Sequence, residues 1–333
     1  MILDRMFVCN ILFSALFLFF SSCDLNNKVT IDGYTMGTTY QITIHDFNGN
    51  RENIKFQIDD MLDSINDIFS TYITNSEISL INKSTKSDGD IISASFVEVL
   101  TKAIYYCNLS KGSYDITIAP LIELWGFGKN KKQIIPSNDS IEQMLKNINY
   151  KNITIHNNMI YKNNPYISID LNSIAKGYAV DQISLLLNKK GYVNHLVEIG
   201  GELKSSNNNM ENWFVGIQDP LSDNIIKKIK LNNYSMATSG TYNNYFEIDN
   251  KKYSHIISPT NGYPYEYSLI SATVISENCI DADAFATLAF TMDVDSFLNV
   301  VNSHEGVECF LITIDDNEVV SFYESENFND FIY

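Results

Sequence analysis

The sequence predicts an α+β protein with largely antiparallel sheets flanked by helices. Helical periodicity and alternating strand patterns both occur, but they do not follow one another as regular strand–helix–strand units. From residue 151 onward, most segments have strand patterns joined by short turns, and only two helical stretches interrupt them. No linker rich in Pro, Gly or Ser and no repeat of fixed period divides the chain, so we expect one intertwined domain over residues 31–333.

The composition excludes some classes of partner. The chain has 333 residues, of which 45% are hydrophobic and 19% charged, an ordinary globular balance that allows a sizeable core. Its 40 Asp and Glu residues outnumber its 23 Lys and Arg residues and give a net charge of −17. Such a surface repels nucleic acid, so we expect no nucleic-acid partner. It also makes a phosphate-bearing ligand hard to hold without a cation or well-aimed backbone amides.

The N-terminus has the pattern of a bacterial lipoprotein signal. Its apolar run, 6–20, is short for a membrane-spanning helix and ends in small residues. Cys23 directly follows two serines, as in a lipobox, although Phe20 stands where Leu is usual. We predict a signal peptide over 1–22, lipidation at Cys23, a tether over 23–30, and export to a bacterial membrane surface that faces the periplasm or the outside. An ordinary cleaved signal and an N-terminal anchor helix are the alternatives, and both also imply export.

The first elements of the folded region are one strand and two amphipathic helices. Residues 34–45 alternate with a period of two after their glycine and predict a strand. Residues 56–72 place their apolar side chains on one stripe, which is typical of a helix packed on a core. A second helix is predicted over 95–112, where Gly112 ends it.

The middle of the chain predicts a loop, a short helix, a hairpin and a longer helix. The polar, Asn- and Lys-rich stretch 129–140 is typical of a loop, and a short helix follows near 140–148. Residues 152–162 predict a hairpin with an Asn-Asn turn. The pattern of 173–190 predicts a helix that Gly191 ends.

The stretch CIDADAFATLAFTMD predicts a buried helix that carries one carboxylate and one hydroxyl on the same face. Asp283 and Thr287 are four residues apart and so lie one helical turn from each other. Their oxygens can ligate one hard cation such as Mg²⁺. The alternative is structural: an Asp bonded to backbone amides and a Thr bonded to its own helix. We expect Asp281 to cap the helix or face water.

Two further stretches suggest binding chemistry. In DLNSIAKGYAVD a strand enters a polar turn and then a helix with Lys176, so free amides and a cation are available to a phosphate; a structural turn is the alternative. His255 lies in a segment rich in Tyr, Ser and Thr, which favours a ligand-facing surface over an ordinary half-buried histidine. Aromatic residues surround Asp115 and either stack on a ring system or form core.

Several short motifs occur in one specific order along the chain: TMGT, YDITIAPLIELWGFG, DLNSIAKGYAVD, EIGGEL, VGIQDP, ATSG, YSHIISPTNGYP and DADAFAT. In that order they resemble the ApbE family of FAD:protein FMN transferases, over roughly residues 31–300. The chain departs from the family pattern at Ser258, where Asp usually precedes the Pro, and at Asn172 and Ser173, where Gly or Ser are common. The resemblance implies an ApbE-like intertwined domain.

The resemblance also implies the reaction and its residues. FAD is bound as substrate together with Mg²⁺, and FMN passes to a Thr hydroxyl of a target protein while AMP is released. The metal is held by Asp283, Thr287 and the backbone carbonyl of Ala175. Beyond the resemblance, we expect Lys176 or nearby backbone amides to hold a phosphate oxygen, and His255 is a candidate for proton handling. His255 and Asp283 are therefore the candidate catalytic residues. The implied flavin and adenosine contacts are Met36, Tyr72, Ser113, Tyr114, Asp115, Asn172, Tyr178 and Ile257.

The acceptor is less defined than the donor. Family resemblance implies an acceptor flavoprotein with an exposed Thr, either a subunit of a membrane redox pump or an exported reductase. Two other functions use the same features. An FAD diphosphatase would give FMN and AMP with water as acceptor, and a flavin-binding lipoprotein would hold FAD without chemistry.

Overall fold

The computed structural model describes residues 27–129, 131–208, 212–222, 224–241, 245–249, 251–266 and 268–333. The predicted signal peptide, Cys23 and the start of the tether lie outside these residues. None of the helices in the described ranges combines the length and apolarity that a membrane crossing requires.

Strands and helices alternate irregularly along the chain. The strands are β1 (Val29–Thr35), β2 (Thr38–Ile44), β3 (Asp90–Ile91), β4 (Ile153–His156), β5 (Met159–Lys162), β6 (His195–Ile199), β7 (Glu202–Ser206), β8 (Phe214–Gln218), β9 (Ile225–Lys230), β10 (Ser235–Gly240), β11 (Tyr245–Ile248), β12 (Lys251–Ser254), β13 (Leu269–Ser276), β14 (Glu308–Ile314) and β15 (Val320–Glu324). The helices are α1 (Arg51–Phe69), α2 (Glu77–Lys83), α3 (Ala94–Leu109), α4 (Ala119–Leu124), α5 (Asn138–Leu145), α6 (Ala175–Lys189), α7 (Cys279–Leu288) and α8 (Val294–Asn302).

An eight-stranded sheet organises the fold, in the order β1-β2-β6-β7-β10-β13-β14-β15. Each of its neighbouring pairs is antiparallel. Smaller sheets are formed by β3-β5-β4, by β8-β9 and by β11-β12. The predicted α+β class with largely antiparallel sheets is therefore confirmed.

The predicted strand over 34–45 is instead a hairpin. Met36 and Gly37 both have positive φ, 49° and 77°, and form a two-residue turn between β1 and β2. Such turns match the right-handed twist of the two strands they join. The hairpin predicted around the Asn-Asn turn is confirmed as β4 and β5, with Asn157 and Asn158 at φ of 48° and 55°.

The helices cover one face of the large sheet and the β8–β9 hairpin covers the other. Helices α1, α3, α6 and α7 pack with Ile42, Val197 and Val274 in the main core. On the opposite face, Ile217 of β8 packs with Met236 and its neighbours. Helix α7 is apolar on nearly all sides because α6, α3, β10 and β13 surround it.

Most of the longer helices begin at a side chain that caps them. Asn50, Ser76, Ser93, Ser137 and Asp293 each accept a hydrogen bond from a backbone N–H in the first turn of α1, α2, α3, α5 and α8. Helices α6 and α7 have no capping side chain at their own N-cap residue. The first amides of α6 and α7 instead donate hydrogen bonds to side chains outside their own N-cap residues, and these bonds position the candidate site.

Candidate functional site

A cavity of about 1250 Å³ opens where α6, α7 and the strands β6, β7, β8 and β10 meet. Most of the residues predicted from the sequence line it: Tyr72, Ser113, Tyr114, Asp115, Asn172, Lys176, His255, Ile257, Asp283 and Thr287. Met36, Ala175 and Tyr178 are not among its lining residues. Residues far apart in sequence thus converge on one cavity.

Helices α6 and α7 cap each other. The Gly177 N–H in the first turn of α6 donates to Asp283 Oδ2 of α7 at 2.9 Å. In return, Asp181 of α6 accepts the Cys279 N–H at 3.0 Å and the Ile280 N–H at 2.9 Å, the first two amides of α7. A carboxylate near a helix N-terminus also interacts favourably with the helix dipole. The reciprocal caps fix the register of the two helices.

Gly177 allows this close approach. A Cβ at this position would lie 2.3 Å from the Cys279 carbonyl oxygen and 2.8 Å from Asp283 Cβ. Because the crowding atoms belong to the facing helix, the two helices are in near-backbone contact. The contact holds Asp283, which is only 3% exposed, beside the start of α6.

Two carboxylates and one ammonium group lie together in the cavity wall. Lys176 forms an ion pair with Glu202, whose side chain is almost fully buried. Burial raises the pKa of Glu202 to about 8, although Lys176 lowers it, and the nearby Asp283 adds to the rise. Burial also raises the pKa of Asp283, against Lys176 and the Gly177 hydrogen bond. The cluster has an excess of negative charge when both carboxylates are ionised.

The excess negative charge of the cluster should make the free energy of unfolding depend on pH. Because the pKa of Glu202 is raised from 4.5 to about 8, and that of Asp283 is raised as well, the cluster of the folded metal-free protein binds more protons in this pH range than the same groups of the unfolded chain. The free energy of unfolding should therefore fall as the pH rises through this window. Urea unfolding of the metal-free protein at several pH values measures the slope. In the matched variant Glu202→Gln, the free energy of unfolding should decrease less steeply with rising pH. An unchanged slope would refute the contribution of Glu202.

The residues present fit a divalent cation. Asp283 Oδ2 accepts the Gly177 N–H, and among the described residues no hydrogen bond to its other oxygen is found. Thr287 lies one turn further along α7, and its hydroxyl is 3.4 Å from Ser239 Oγ of β10. No group of three or more His, Cys, Asp or Glu side chains suited to a metal occurs in the described ranges. A hard cation here would therefore need ligand or water oxygens as well, as Mg²⁺ commonly takes.

The Ser113–Asp115 run forms part of the wall through hydrogen bonds of its own. Tyr114 Oη lies 2.6 Å from Ser173 Oγ, and Ser113 Oγ lies 3.1 Å from Thr291 Oγ1. Asp115 accepts the Thr117 N–H and hydroxyl on one oxygen and the Tyr150 N–H on the other. Asp115 therefore orders the loop as well as bordering the cavity.

The remaining residues predicted to contact flavin or adenosine differ in how exposed they are. Tyr72 is 58% exposed at the cavity, and Asn172 is exposed with its amide hydrogen-bonded to Asp170. Met36 lies in the β1–β2 turn and packs on the main core. Tyr178 is 4% exposed and packs edge-on against Phe69, so its ring belongs to that core.

His255 and Ile257 follow β12 and also line the cavity. The His255 ring is edge-on to Phe127, with a centroid separation of 6.3 Å. Ile257 belongs to a small apolar cluster around Trp125, whose Nε1–H donates to the Gly262 carbonyl at 2.8 Å. Ser258, where the family pattern has Asp, is buried, and its hydroxyl accepts two backbone amides of the following turn. Serine thus satisfies the turn.

Sequence reasoning missed Glu202 and Asp181. Glu202 directly follows Gly200 and Gly201 in the EIGGEL motif, which contributed to the family resemblance without a role for the glutamate. Asp181 ends the DLNSIAKGYAVD motif, where its i+4 spacing from Gly177 was the available signal. The expectation for Asp281 was wrong: its carboxylate accepts the Tyr106 hydroxyl at 2.5 Å and pairs with Lys102 at 2.8 Å, and so ties α7 to α3.

Known proteins are similar to this chain in sequence and in fold. The model of the ApbE family matches residues 36–311. A Vibrio cholerae protein named FAD:protein FMN transferase is 34% identical over 312 residues, which cover 92% of this chain and 93% of that protein. An Escherichia coli protein of the same name is 32% identical over 315 residues, 89% of this chain and 90% of that protein. The solved structure of flavin transferase ApbE from Vibrio cholerae has a TM-score of 0.84 at 32% identity and covers 91% of this chain and 99% of that one.

Proposed function

The chain belongs to the ApbE family, and from this premise we propose that it transfers FMN from FAD to a Thr hydroxyl of an acceptor protein. The acceptor oxygen forms a bond to the phosphorus of the FMN half of the diphosphate. The bond from that phosphorus to the bridging oxygen breaks, and AMP leaves with the oxygen. The hydroxyl proton passes to a base, and the acceptor carries covalently bound FMN.

The observation that carries the proposal is the joining of Lys176, Asp283 and Thr287 in one wall of a large cavity. A cavity of about 1250 Å³ exceeds what a drug-sized ligand needs and accommodates a dinucleotide. The acidic surface makes such a ligand unfavourable unless a cation accompanies its phosphates. A functionless fold gives no common reason for these three side chains to meet.

Asp283 and Thr287 are the side chains that would hold Mg²⁺, with the backbone carbonyl of Ala175, the almost fully buried first residue of α6, as the third protein ligand. When bound, the metal supplies neutralisation of the diphosphate charge. Lys176 orients a phosphate oxygen and is itself held in place by Glu202. The reciprocal caps of α6 and α7 keep these groups in a fixed relation, so that positioning contributes to the rate.

His255 is the residue proposed to accept the proton of the acceptor hydroxyl. It borders the cavity, and imidazole has an ordinary pKa close to neutral pH. His255→Asn should lower the rate of FMN transfer by about 10²-fold or more while FAD affinity changes much less. Single-turnover transfer and FAD fluorescence titration measure the two quantities. Equal losses in both would count against proton handling.

One assay separates the transferase from the two other functions. The purified protein is incubated with FAD and Mg²⁺, with and without a cell extract of the source bacterium from which this gene has been deleted. Covalent flavin fluorescence on an extract protein after denaturing electrophoresis supports the transferase, and mass spectrometry maps the modified Thr. Release of FMN and AMP without protein labelling indicates an FAD diphosphatase. Bound but unchanged FAD indicates a flavin-binding protein and rejects the proposed function.

The cellular setting is also part of the proposal. Lipidation at Cys23 would hold the enzyme on a bacterial membrane, outside the cytoplasm. The acceptor would then be a membrane redox-pump subunit or an exported reductase with an exposed Thr. Labelled glycerol or palmitate incorporation, lost in Cys23→Ala, tests the anchor.

A further inference from the structure

Strand β8 has an open edge. Within the described ranges its only strand partner is β9. At the two ends of the hairpin, the Trp213 carbonyl accepts and the Asp219 amide donates a hydrogen bond to the β9 side, each at 2.8 Å. The ladder has a register shift between Ile217 and Gln218, where Ile226 of β9 is the extra residue. Because both terminal bonds involve odd-numbered residues and backbone groups alternate along β8, Phe214, Gly216 and Gln218 direct their N–H and C=O groups away from β9. Such an edge is a template for another chain.

The open edge borders the proposed active site. Residues 215–218 line the same cavity as Asp283 and Thr287. Leu196 of β6 and Met236 of β10 line it too, so the cavity extends over the sheet from the metal-binding helix to β8. A polypeptide lying along β8 would enter the cavity where FAD is cleaved.

Gly216, in the middle of β8, favours a second backbone at this place. Glycine inside a strand destabilises the strand relative to Ala and often marks a close backbone approach. The three atoms nearest to a Cβ at Gly216 would all belong to the side chain of Ile225, the closest at 2.8 Å. Ile225 is 54% exposed, and none of these three atoms belongs to the backbone. The nearest contacts therefore do not explain the glycine, whereas an added strand gives a reason for it.

The hairpin also carries a local charge opposite to that of the whole chain. β9 contains Lys227, Lys228 and Lys230, although the net charge is −17. Lys227 pairs with Glu324, while Lys228 and Lys230 are exposed and have no ion pair within the described part of the chain. Phe214, 46% exposed, is the cross-strand neighbour of Lys230. This surface suits a segment that combines apolar and acidic residues.

We propose that the acceptor protein docks on the open edge of β8 as an added β-strand, an extended segment whose acidic and apolar residues flank the modified Thr. Main-chain hydrogen bonds to Phe214, Gly216 and Gln218 supply affinity, and the lysines of β9 favour acidic neighbours. The proposal rests on the proposed transferase function and adds the way in which its protein substrate is recognised.

A proline variant tests the edge. Gln218→Pro removes one outward N–H and leaves the β8–β9 ladder intact, so labelling of extract protein should fall about 10-fold or more. FAD affinity in the presence of Mg²⁺ is measured on the same variant, because Gln218 also lines the cavity, and labelling should fall by a larger factor than FAD affinity. The matched control is Asp32→Pro. Counting from the two-residue turn, Asp32 is an outward, exposed position on the edge strand β1, and it does not line the cavity. This control should label normally. Native labelling by Gln218→Pro would overturn the proposal.

A second measurement uses only the native protein, so it tests the proposal even if Gln218→Pro fails to fold. The probe is the synthetic peptide around the mapped Thr, N-methylated at one backbone position at a time. An added strand predicts that methylation at every second residue lowers kcat/KM for the peptide about 10-fold while the positions between tolerate it. A uniform tolerance or a loss without a period of two would overturn strand addition. So would a change in oligomeric state of Gln218→Pro with normal labelling, since the edge would then pair two copies of this chain. Absence of any labelling by the native protein would instead reject the transferase function.

Discussion

Asp283→Ala should lose about 10³-fold or more of its FMN transfer rate, the largest effect expected for a single substitution. Asp283 is the only carboxylate among the proposed metal ligands. Without it, the remaining oxygens have too little charge to keep a divalent cation beside a diphosphate. Covalent labelling of the acceptor gives the rate, and FAD titration with and without Mg²⁺ gives the metal dependence of binding. We expect the variant to lose that dependence.

Asp283→Asn is the matched control for folding. Its side-chain oxygen still accepts the Gly177 N–H, so the cap on α6 remains, while the charge is lost. In metal-free protein this variant should be as stable as the native chain or more stable by about 1 kcal/mol, because a buried excess charge is gone. It should nevertheless transfer no FMN and show no rise in Tm with Mg²⁺ and FAD. Native transfer in Asp283→Asn would refute the metal assignment.

Gly177→Ala should destabilise the protein and impair transfer together. Alanine usually stabilises a helix interior by about 1 kcal/mol relative to glycine. Here its Cβ would collide with the Cys279 carbonyl and with Asp283, so α6 and α7 must separate. We expect a net loss of about 3 kcal/mol in the free energy of unfolding, measured by urea denaturation.

A control substitution on the same helix separates the steric clash at Gly177 from the helix propensity of alanine. Lys189→Ala changes an exposed residue at the end of α6 and should alter the free energy of unfolding by less than about 0.5 kcal/mol. Because Gly177 also donates to Asp283, the alanine variant should need a higher Mg²⁺ concentration for half-maximal transfer. A Gly177→Ala protein as stable and as active as the native one would contradict the close helix contact.

Local patterns predicted many elements correctly because their cause is local. The alternation of β4 and β5 and the turn at Asn157 and Asn158 depend on neighbouring residues only. The same is true of helices α1 and α3, whose apolar stripes and caps lie within a few residues of each other. The β1–β2 turn was missed because the alternation continues through Met36 and hides the reversal.

The cavity lining includes most of the residues named from the sequence, but the partners of these residues were not predicted. Thr287 and Asp283 were recognised from a one-turn spacing, and the cavity includes both. Glu202 was missed because its importance comes from Lys176, 26 residues away, and from burial that no local pattern reveals. For Asp281 the helix start predicted a cap, yet α3 provides Tyr106 and Lys102 as partners.

The sequence by itself determined the class of fold and the family, because periodicity, turn residues and ordered motifs are properties of the chain. Only the tertiary structure decided how Asp283 is tolerated inside an apolar wall. Helices α6 and α7 lack caps of their own, and each receives one from a carboxylate of the other across 98 to 106 residues of sequence. That exchange requires two backbones in contact at Gly177, and contact between distant segments is set by packing rather than by neighbours along the chain.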